Sequence, residues 1–178
     1  SSDVCSSDLE NGTKASFLFE GETYYLPTKL MTEETAGELV MAQLLHDGCK
    51  QLENGNYIAL TKLTAVLCRK AGEWYEDFDI EQRAEQFLNL PMDTLLYVGF
   101  FFAEVTKALH TRFANLYSSP DSDEIAAGIE KIQKQFGGYV TLKRIAEAGV
   151  FNLPNMSPIK SAERAPLWDT WYYLSSCT

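Results

Sequence analysis

The segment from Met92 to about Tyr117 constrains the possible folds more than any other part of the sequence. Its apolar and small residues recur at alternating intervals of four and three, which is the spacing of one buried helix face. That face carries Leu95, Gly99, Phe102, Thr106, Leu109, Phe113 and Leu116. A second apolar face carries Val98, Phe101, Val105 and Ala108. A helix that is apolar on nearly every side lies at the centre of its domain or is covered by a partner.

Three shorter helices are predicted before this central helix, over 32–53, 57–70 and 79–90. Thr32 is the expected N-cap of the first, because a threonine hydroxyl can accept a backbone N–H and two acidic residues follow it. Gly72 is the expected cap after the second helix. Asp79 has Gln82 three residues further on, which is a capping-box pattern at the start of the third.

Three further helices are predicted after the central one, over 122–136, 139–148 and 167–174. Ser122 is the expected N-cap of the first of these, and the pair Gly137-Gly138 is expected to end it. Gly149 is expected to stop the second. Residues 150–166 contain three prolines and are predicted to form an irregular segment between the second and the third.

A short β-hairpin is predicted near the start of the chain, over residues 15–27. Its strand propensity comes from Phe17, Phe19, Tyr24 and Tyr25. Glu20-Gly21 is the turn signal between the two strands. A hairpin of this size is unstable alone, so we expect it to pack on helices. The predicted fold class is therefore mainly α, a helical bundle with a short N-terminal β-hairpin.

Residues 1–9 read SSDVCSSDL and carry no helix or strand signal. They match the one-frame translation of the sequencing-library adapter AGTTCAGACGTGTGCTCTTCCGATCT, so we interpret them as an assembly artefact that is disordered. A natural polar N-terminus is the alternative. The single α-helical domain is then assigned to residues 10–178, and the natural N-terminus and any targeting segment are left open.

The charge of the chain disfavours two classes of partner. The net charge is −10 at pH 7, and −8 remains when the charges of Asp3 and Asp8 are removed. An acidic domain repels nucleic-acid phosphates and anionic membrane surfaces, so neither is an expected partner. The longest apolar run, residues 95–103, is too short to cross a bilayer.

The three cysteines outside residues 1–9 are widely spaced and form no CxxC pair. They are Cys49, Cys68 and Cys177. This usage predicts a reduced, intracellular protein.

No motif in the sequence predicts catalysis, a cofactor or a metal. There is no GxSxG elbow, phosphate-binding loop or dinucleotide fingerprint. The two histidines, His46 and His110, have no second ligand at helical spacing. The acidic stretch 73–79 lacks the spacing of a calcium loop, so a solvated loop that caps the next helix is the preferred interpretation. We therefore predict no enzymatic site, no cofactor and no metal.

Aromatic residues are dense in two places, at 100–102 and 168–173. Core packing accounts for most of them, but the seven rings on two helices do not easily all face one core. The surplus predicts an apolar patch for a partner helix. The candidate partner-binding residues are Phe100, Phe101, Trp168, Trp171 and Tyr172.

Several segments together resemble a known family. These are GETYYLP, ALTKLTAVLCRKAGEWY, RAEQFLNLPMDTLLYVGFFF and FGGYVTLKRIAEAGVF followed by LWDTWYYL. In this order, over residues 15–175, they resemble the small tail assembly chaperones of long-tailed bacteriophages, particularly phages of Bacteroidetes-type hosts. The stretch Gly137-Gly138-Tyr139 departs from the Gly-Trp-type pair expected there.

The resemblance implies a non-enzymatic role in the host cytoplasm. Such chaperones bind the tape measure protein, a long helical polypeptide, and keep it soluble while tail tube subunits polymerise around it. They do not remain in the virion. The alternatives are a structural virion component, such as a connector or baseplate subunit, and an enzyme with an unrecognised site. The oligomeric state is left open.

Overall fold

The structure is a computed structural model that describes residues 14–48, 55–117 and 129–177. Residues 1–9, expected to be disordered, lie outside these ranges. The predicted fold class is confirmed, because helices dominate and one antiparallel hairpin precedes them. The strands are β1 Ser16–Phe19 and β2 Glu22–Tyr25. The helices are α1 Ala36–Gly48, α2 Gly55–Leu67, α3 Ile80–Gln86, α4 Met92–Arg112, α5 Ile129–Ala148, α6 Pro158–Arg164 and α7 Leu167–Ser176.

The hairpin has the predicted turn and packs on a helix end, as expected. Glu20 and Gly21 both have positive φ, at 51° and 80°, as a tight two-residue hairpin turn requires. Phe17 and Tyr24 are cross-strand partners with stacked rings 5.6 Å apart. Both rings lie edge-on to Phe87, with centroids 6.0 and 5.1 Å away. This aromatic cluster anchors the hairpin to the segment after α3.

The end of α2 differs from the prediction because the chain turns to pair with the hairpin. The helix stops at Leu67, and Arg69 exchanges backbone hydrogen bonds with Tyr25 at 2.8 and 3.2 Å. The Arg69 guanidinium also donates to the buried carboxylate of Glu38. Gly72 is not a helix cap. With φ 78° it occupies the turn in which Glu73 N–H donates to the Lys70 carbonyl.

The start of α1 also differs from the prediction. Thr32 follows a short 3-10 helix, Lys29–Met31, and is not the N-cap. Thr35 caps α1 instead: Glu38 N–H donates to its hydroxyl at 3.4 Å, and its own N–H donates to the Glu38 carboxylate at 3.2 Å. This reciprocal pair is a capping box. The predicted continuation of the helix over 49–53 lies outside the described residues.

Helix α4 is the central helix, as predicted. Its buried side is one row of residues drawn from both of the predicted faces. That row is Leu95, Val98, Phe102, Val105 and Leu109. Gly99 sits where a Cβ would lie 2.7 Å from Leu60 Cδ2, so α2 and α4 approach closely there. The helix ends at Arg112 rather than Tyr117, and a 3-10 turn, Ala114–Leu116, follows it. No described helix, α4 included, is long and apolar enough to cross a membrane.

The prediction that Gly137-Gly138 ends a helix is wrong, because α5 runs continuously through both residues. A Cβ at Gly138 would lie 2.6 Å from Val40 Cγ1, so this glycine provides a close helix–helix contact. The expected N-cap Ser122 lies outside the described residues. The stop at Gly149 is confirmed: its φ is 71° and its N–H donates to the Ile145 carbonyl at 3.3 Å.

The segment 150–166 is only partly irregular, because it contains α6. Ser157 caps this helix by accepting the Lys160 N–H at 3.4 Å, and Pro158 occupies its first turn. The final helix, α7, is confirmed over the predicted range and extends to Ser176. Backbone bonds join its start to the start of α1: Ala36 N–H to Ala165 O at 2.8 Å and Leu167 N–H to Glu34 O at 2.9 Å.

Candidate functional site

The predicted partner-binding residues on α7 lie mainly against the core. Trp171 is 7% exposed, and its indole N–H donates to the Tyr117 hydroxyl at 2.8 Å. Trp168 is half-buried and donates its N–H to the Leu30 carbonyl at 2.8 Å. Tyr172 is 46% exposed, with its ring edge-on to Phe113 at 4.9 Å. Of these three residues, Tyr172 offers the most surface to a partner.

The two predicted residues on α4 differ in exposure. Phe101 is half-buried and packs against the core, whereas Phe100 is 70% exposed. Phe100 lies thirteen positions before Phe113, where Tyr172 packs, and this spacing corresponds to about 20 Å along a helix. The five candidate residues therefore do not form one patch: Phe100 lies on the middle of α4, whereas Tyr172 lies beside the C-terminal end of that helix.

An exposed apolar row surrounds Phe100, and we call it the α4 stripe. Its members are Met92, Leu96 and Phe100, which are 43–70% exposed. They follow one another at intervals of four, so they occupy neighbouring positions along one side of the helix. The sequence analysis predicted Phe100 as a binding residue but not Met92 or Leu96, although their four-residue spacing is visible in the sequence.

A groove adjoins the α4 stripe on the side of α1, and we call it the α4 groove. It has a volume of about 590 Å³ and is lined by Gln43, His46, Gly99, Phe102, Ala103, Thr106, Lys107, His110 and Thr111. Its lining includes the small residues Gly99, Ala103 and Thr106 at helical spacing. Small residues such as the exposed Ala103 let a bulky side chain or another helix approach closely.

Polar side chains also line the α4 groove. The His46 ring lies 5.6 Å from the Phe102 ring and 3.4 Å, through Nδ1, from the Asp47 carboxylate. The His110 ring stacks on Tyr117 at 3.8 Å. In the part of the chain that the structure describes, no three side chains of metal-ligand type come together. The buried hydroxyl oxygen of Thr106 has no hydrogen-bond partner among the described residues.

Acidic side chains of the loop 73–79 form hydrogen bonds and an ion pair with other residues of this chain. Glu73 accepts from both guanidinium nitrogens of Arg83, at 2.6 and 3.0 Å, and this pairing lowers the pKa of the Glu73 carboxyl. The Arg83 guanidinium also lies 3.7 Å from the Phe78 ring centroid. Asp79 accepts the Gln82 N–H at 3.1 Å, so the predicted cap of the next helix is confirmed.

The two cysteines within the described residues differ in accessibility. Cys68 is fully buried, and this burial raises the pKa of its thiol. Cys177 is exposed. Both are free thiols, and Cys49 lies outside the described residues.

The α4 stripe and the α4 groove together form the candidate binding surface. The stripe supplies exposed apolar side chains, and the groove supplies a hollow with both polar and apolar lining residues. Such a surface suits the side chains of another helix. Comparisons with protein-family models, curated proteins and solved structures give no match.

Proposed function

We propose that this chain is a non-enzymatic assembly chaperone of a long-tailed phage. It acts in the host cytoplasm and binds the tape measure protein along α4. The observation that carries this proposal is the α4 stripe, a row of exposed apolar side chains on the central helix. Rows at four-residue spacing are the anchors of helix-in-groove recognition. The family resemblance over residues 15–175 supplies the kind of partner, a long helical polypeptide.

The shape of the site supports a helical partner over a small ligand. The stripe and groove extend along α4 from Met92 to Thr111, which corresponds to roughly 30 Å of helix. An elongated, open surface of this kind matches several turns of a partner helix. The small, exposed side chain of Ala103 allows the partner backbone to come close to α4.

The charge of the chain supports a solubilising role. A long helix with an uncovered apolar face aggregates, and covering that face removes the cause. The chain carries a net charge of −10, so a complex that displays its surface repels other complexes. A binder with this charge therefore covers the apolar face of its partner and also keeps the resulting complex dispersed.

The test is co-expression with the long helical protein encoded nearest to this chain in its genome. We expect that protein to be insoluble alone, and to be soluble and co-purified when this chain is present. Phe100→Asp and Leu96→Asp place charges in the stripe. We expect the partner to be insoluble when it is co-expressed with either variant. Leu18→Asp is the matched control, because Leu18 is an exposed apolar residue of the hairpin.

Two outcomes would contradict the proposal. The first is a partner that stays soluble and unbound in the absence of this chain. The second is the presence of the chain in purified mature particles, detected by mass spectrometry, which would assign it to the structural components of the virion. Circular dichroism of each variant confirms that a loss of binding does not reflect unfolding.

A further inference from the structure

We infer that the partner helix carries a carboxylate that binds Lys107, and that this acidic residue lies seven positions from the residue that packs on Phe100. The inference rests on the proposed function and names the chemistry by which α4 recognises its partner. Phe100 and Lys107 are both exposed and lie seven positions apart on α4, which is about 10 Å along the helix. Seven residues are close to two full turns, so both side chains project from nearly the same side of α4.

Exposed residues of α4 form an outer seam whose members alternate at intervals of four and three. They are Leu96, Phe100, Ala103, Lys107 and His110. This is the spacing at which two helices pack side by side, with each seam residue inserted between residues of the other helix. The outer seam lies on the side of α4 away from its buried row, so it is separate from the packing of the core. Since the pattern repeats every seven residues, the apolar and the acidic contact of the partner are seven positions apart whichever way the partner helix runs.

Lys107 lies between two hollows and lines both of them. One is the α4 groove, and the other, with a volume of about 570 Å³, is lined by Glu104, Lys107, Ala108, Thr111 and Arg112. Space on both sides of the lysine lets the side chains of a partner helix reach its ammonium group. The aliphatic part of Lys107 continues the apolar contact that Phe100 and Ala103 begin. Its charged end requires an opposite charge, because an unpaired charge that is covered by a partner loses its hydration.

The charges around Lys107 favour an acidic residue in the partner. Among the described residues no carboxylate forms an ion pair with Lys107, whereas Lys62 and Lys160 have carboxylate oxygens 2.9 and 2.6 Å away. Glu104 is the acid that lines the second hollow, and the bases Lys107 and Arg112 outnumber it there. The chain as a whole, with a net charge of −10 at pH 7, repels a carboxylate that Lys107 attracts locally. This contact therefore fixes the register of the partner helix on α4.

Binding of the co-expressed helical protein to variants of the full chain tests the inference. Lys107→Glu is expected to weaken the binding at least about tenfold, because a like charge replaces the ion pair. Lys107→Met keeps the apolar stem and is expected to weaken the binding less than Lys107→Glu does. Lys143→Glu is the matched control, because it makes the same change in net charge on an exposed lysine of α5, and it should change the binding less than about twofold. Lys107 is exposed, so we expect the thermal unfolding of Lys107→Glu to match that of wild type.

Chemical crosslinking of the complex gives the sharper test. A carbodiimide joins an amine to a carboxylate without a spacer, so it couples only groups that are in direct contact. We expect peptide mass spectrometry to identify a crosslink from Lys107 to an Asp or Glu of the partner, with an apolar residue seven positions from that acid. Exchange of that acid for lysine is expected to restore the binding of Lys107→Glu.

The outcomes separate this inference from the proposed function. A complex that is lost with Phe100→Asp, but forms equally well with Lys107→Glu and gives no crosslink at Lys107, would overturn the inference and leave the proposed function standing. A helical protein that stays soluble and unbound in the absence of this chain would reject the proposed function, and the inference with it.

Discussion

Gly138 of α5 lies so close to Val40 of α1 that a methyl group at position 138 would sit 2.6 Å from Val40 Cγ1. Val40 is buried, and its branched side chain has little rotameric freedom to move aside. The absence of a side chain at Gly138 is therefore a packing requirement. This requirement explains why α5 has a glycine in its interior.

Gly138→Ala is expected to destabilise the protein by about 1–3 kcal/mol in urea denaturation, because overpacking outweighs the better helix propensity of alanine. In a Val40→Ala background the clash is removed, so the same substitution should cost at least about 1 kcal/mol less. Equal costs in the two backgrounds would show that the Val40 contact is not the cause.

Thr35 rather than Thr32 caps α1, and alanine substitutions separate the two. Thr35→Ala removes the hydroxyl that accepts the Glu38 N–H and is expected to lower the free energy of unfolding by about 1 kcal/mol. Thr32→Ala removes only an exposed bond to the Lys29 carbonyl and should change it by less than about 0.5 kcal/mol. The reverse order, measured by thermal or urea unfolding, would restore Thr32 as the cap.

The Glu73–Arg83 pair predicts a specific dependence of stability on pH. The Glu73 pKa is lower in the folded chain, first because of its hydrogen bonds with Arg83, so the pair stabilises fully above the ordinary glutamate pKa of about 4.3. That stabilisation is lost as the pH falls through the lower folded value. Glu73→Gln should cost about 1–3 kcal/mol at neutral pH, and this difference should shrink in acid.

The control for this experiment is Glu85→Gln, because Glu85 is exposed on α3, the helix that carries Arg83. It should change stability by less than about 0.5 kcal/mol at either pH. A Glu73→Gln penalty that stays constant from neutral pH into acid would rule out ionic pairing as its source.

Trp171 and Phe100 were both predicted to bind the partner. We expect alanine substitution to lower stability at Trp171 and partner binding at Phe100. Trp171→Ala removes a buried ring that donates to Tyr117 and should destabilise the fold by about 3–5 kcal/mol. Phe100→Ala should leave stability within about 0.5 kcal/mol of wild type, while partner binding is lost. A large stability loss from Phe100→Ala would place this ring in the core and remove it from the site.

The cysteines provide a chemical check of the fold. Cys177 is exposed and is expected to react readily with a thiol-specific disulfide reagent in the native protein. Cys68 is buried with a raised thiol pKa and should react only when the chain unfolds. Peptide mass spectrometry after brief labelling assigns the modified residue, and rapid native labelling of Cys68 would contradict the packing of α2.

Local rules predicted the turns and helix ends that depend on neighbouring residues, but not the helix ends that depend on distant contacts. The hairpin turn at Glu20-Gly21, the Asp79 cap and the Gly149 stop each depend on residues adjacent in sequence, and all three are confirmed. The end of α2 depends on the pairing of Arg69 with Tyr25, which lies far away in the chain. The residues around Arg69 in the sequence do not indicate a contact with such a distant partner.

The candidate site was predictable only in part, for a similar reason. Phe100 is visible because it lies in a dense aromatic stretch on a helix that is apolar on most sides. The burial of Trp171 depends on the Tyr117 hydroxyl, which satisfies its N–H from another part of the chain. The α4 groove depends on α1 lying beside α4, so its His46 and Gln43 wall could not be inferred from spacing alone.

The start of α1 is held by the segment that opens α7, through the paired backbones of Thr35 and Pro166. During translation, Thr35 is synthesised long before Pro166. Until the later segment leaves the exit tunnel, the N–H of Ala36 and the carbonyl of Glu34 have only water as partners. The start of α1 therefore gains its final backbone pairing only after residue 167 has been synthesised, and a chain truncated before residue 165 would leave both groups unpaired.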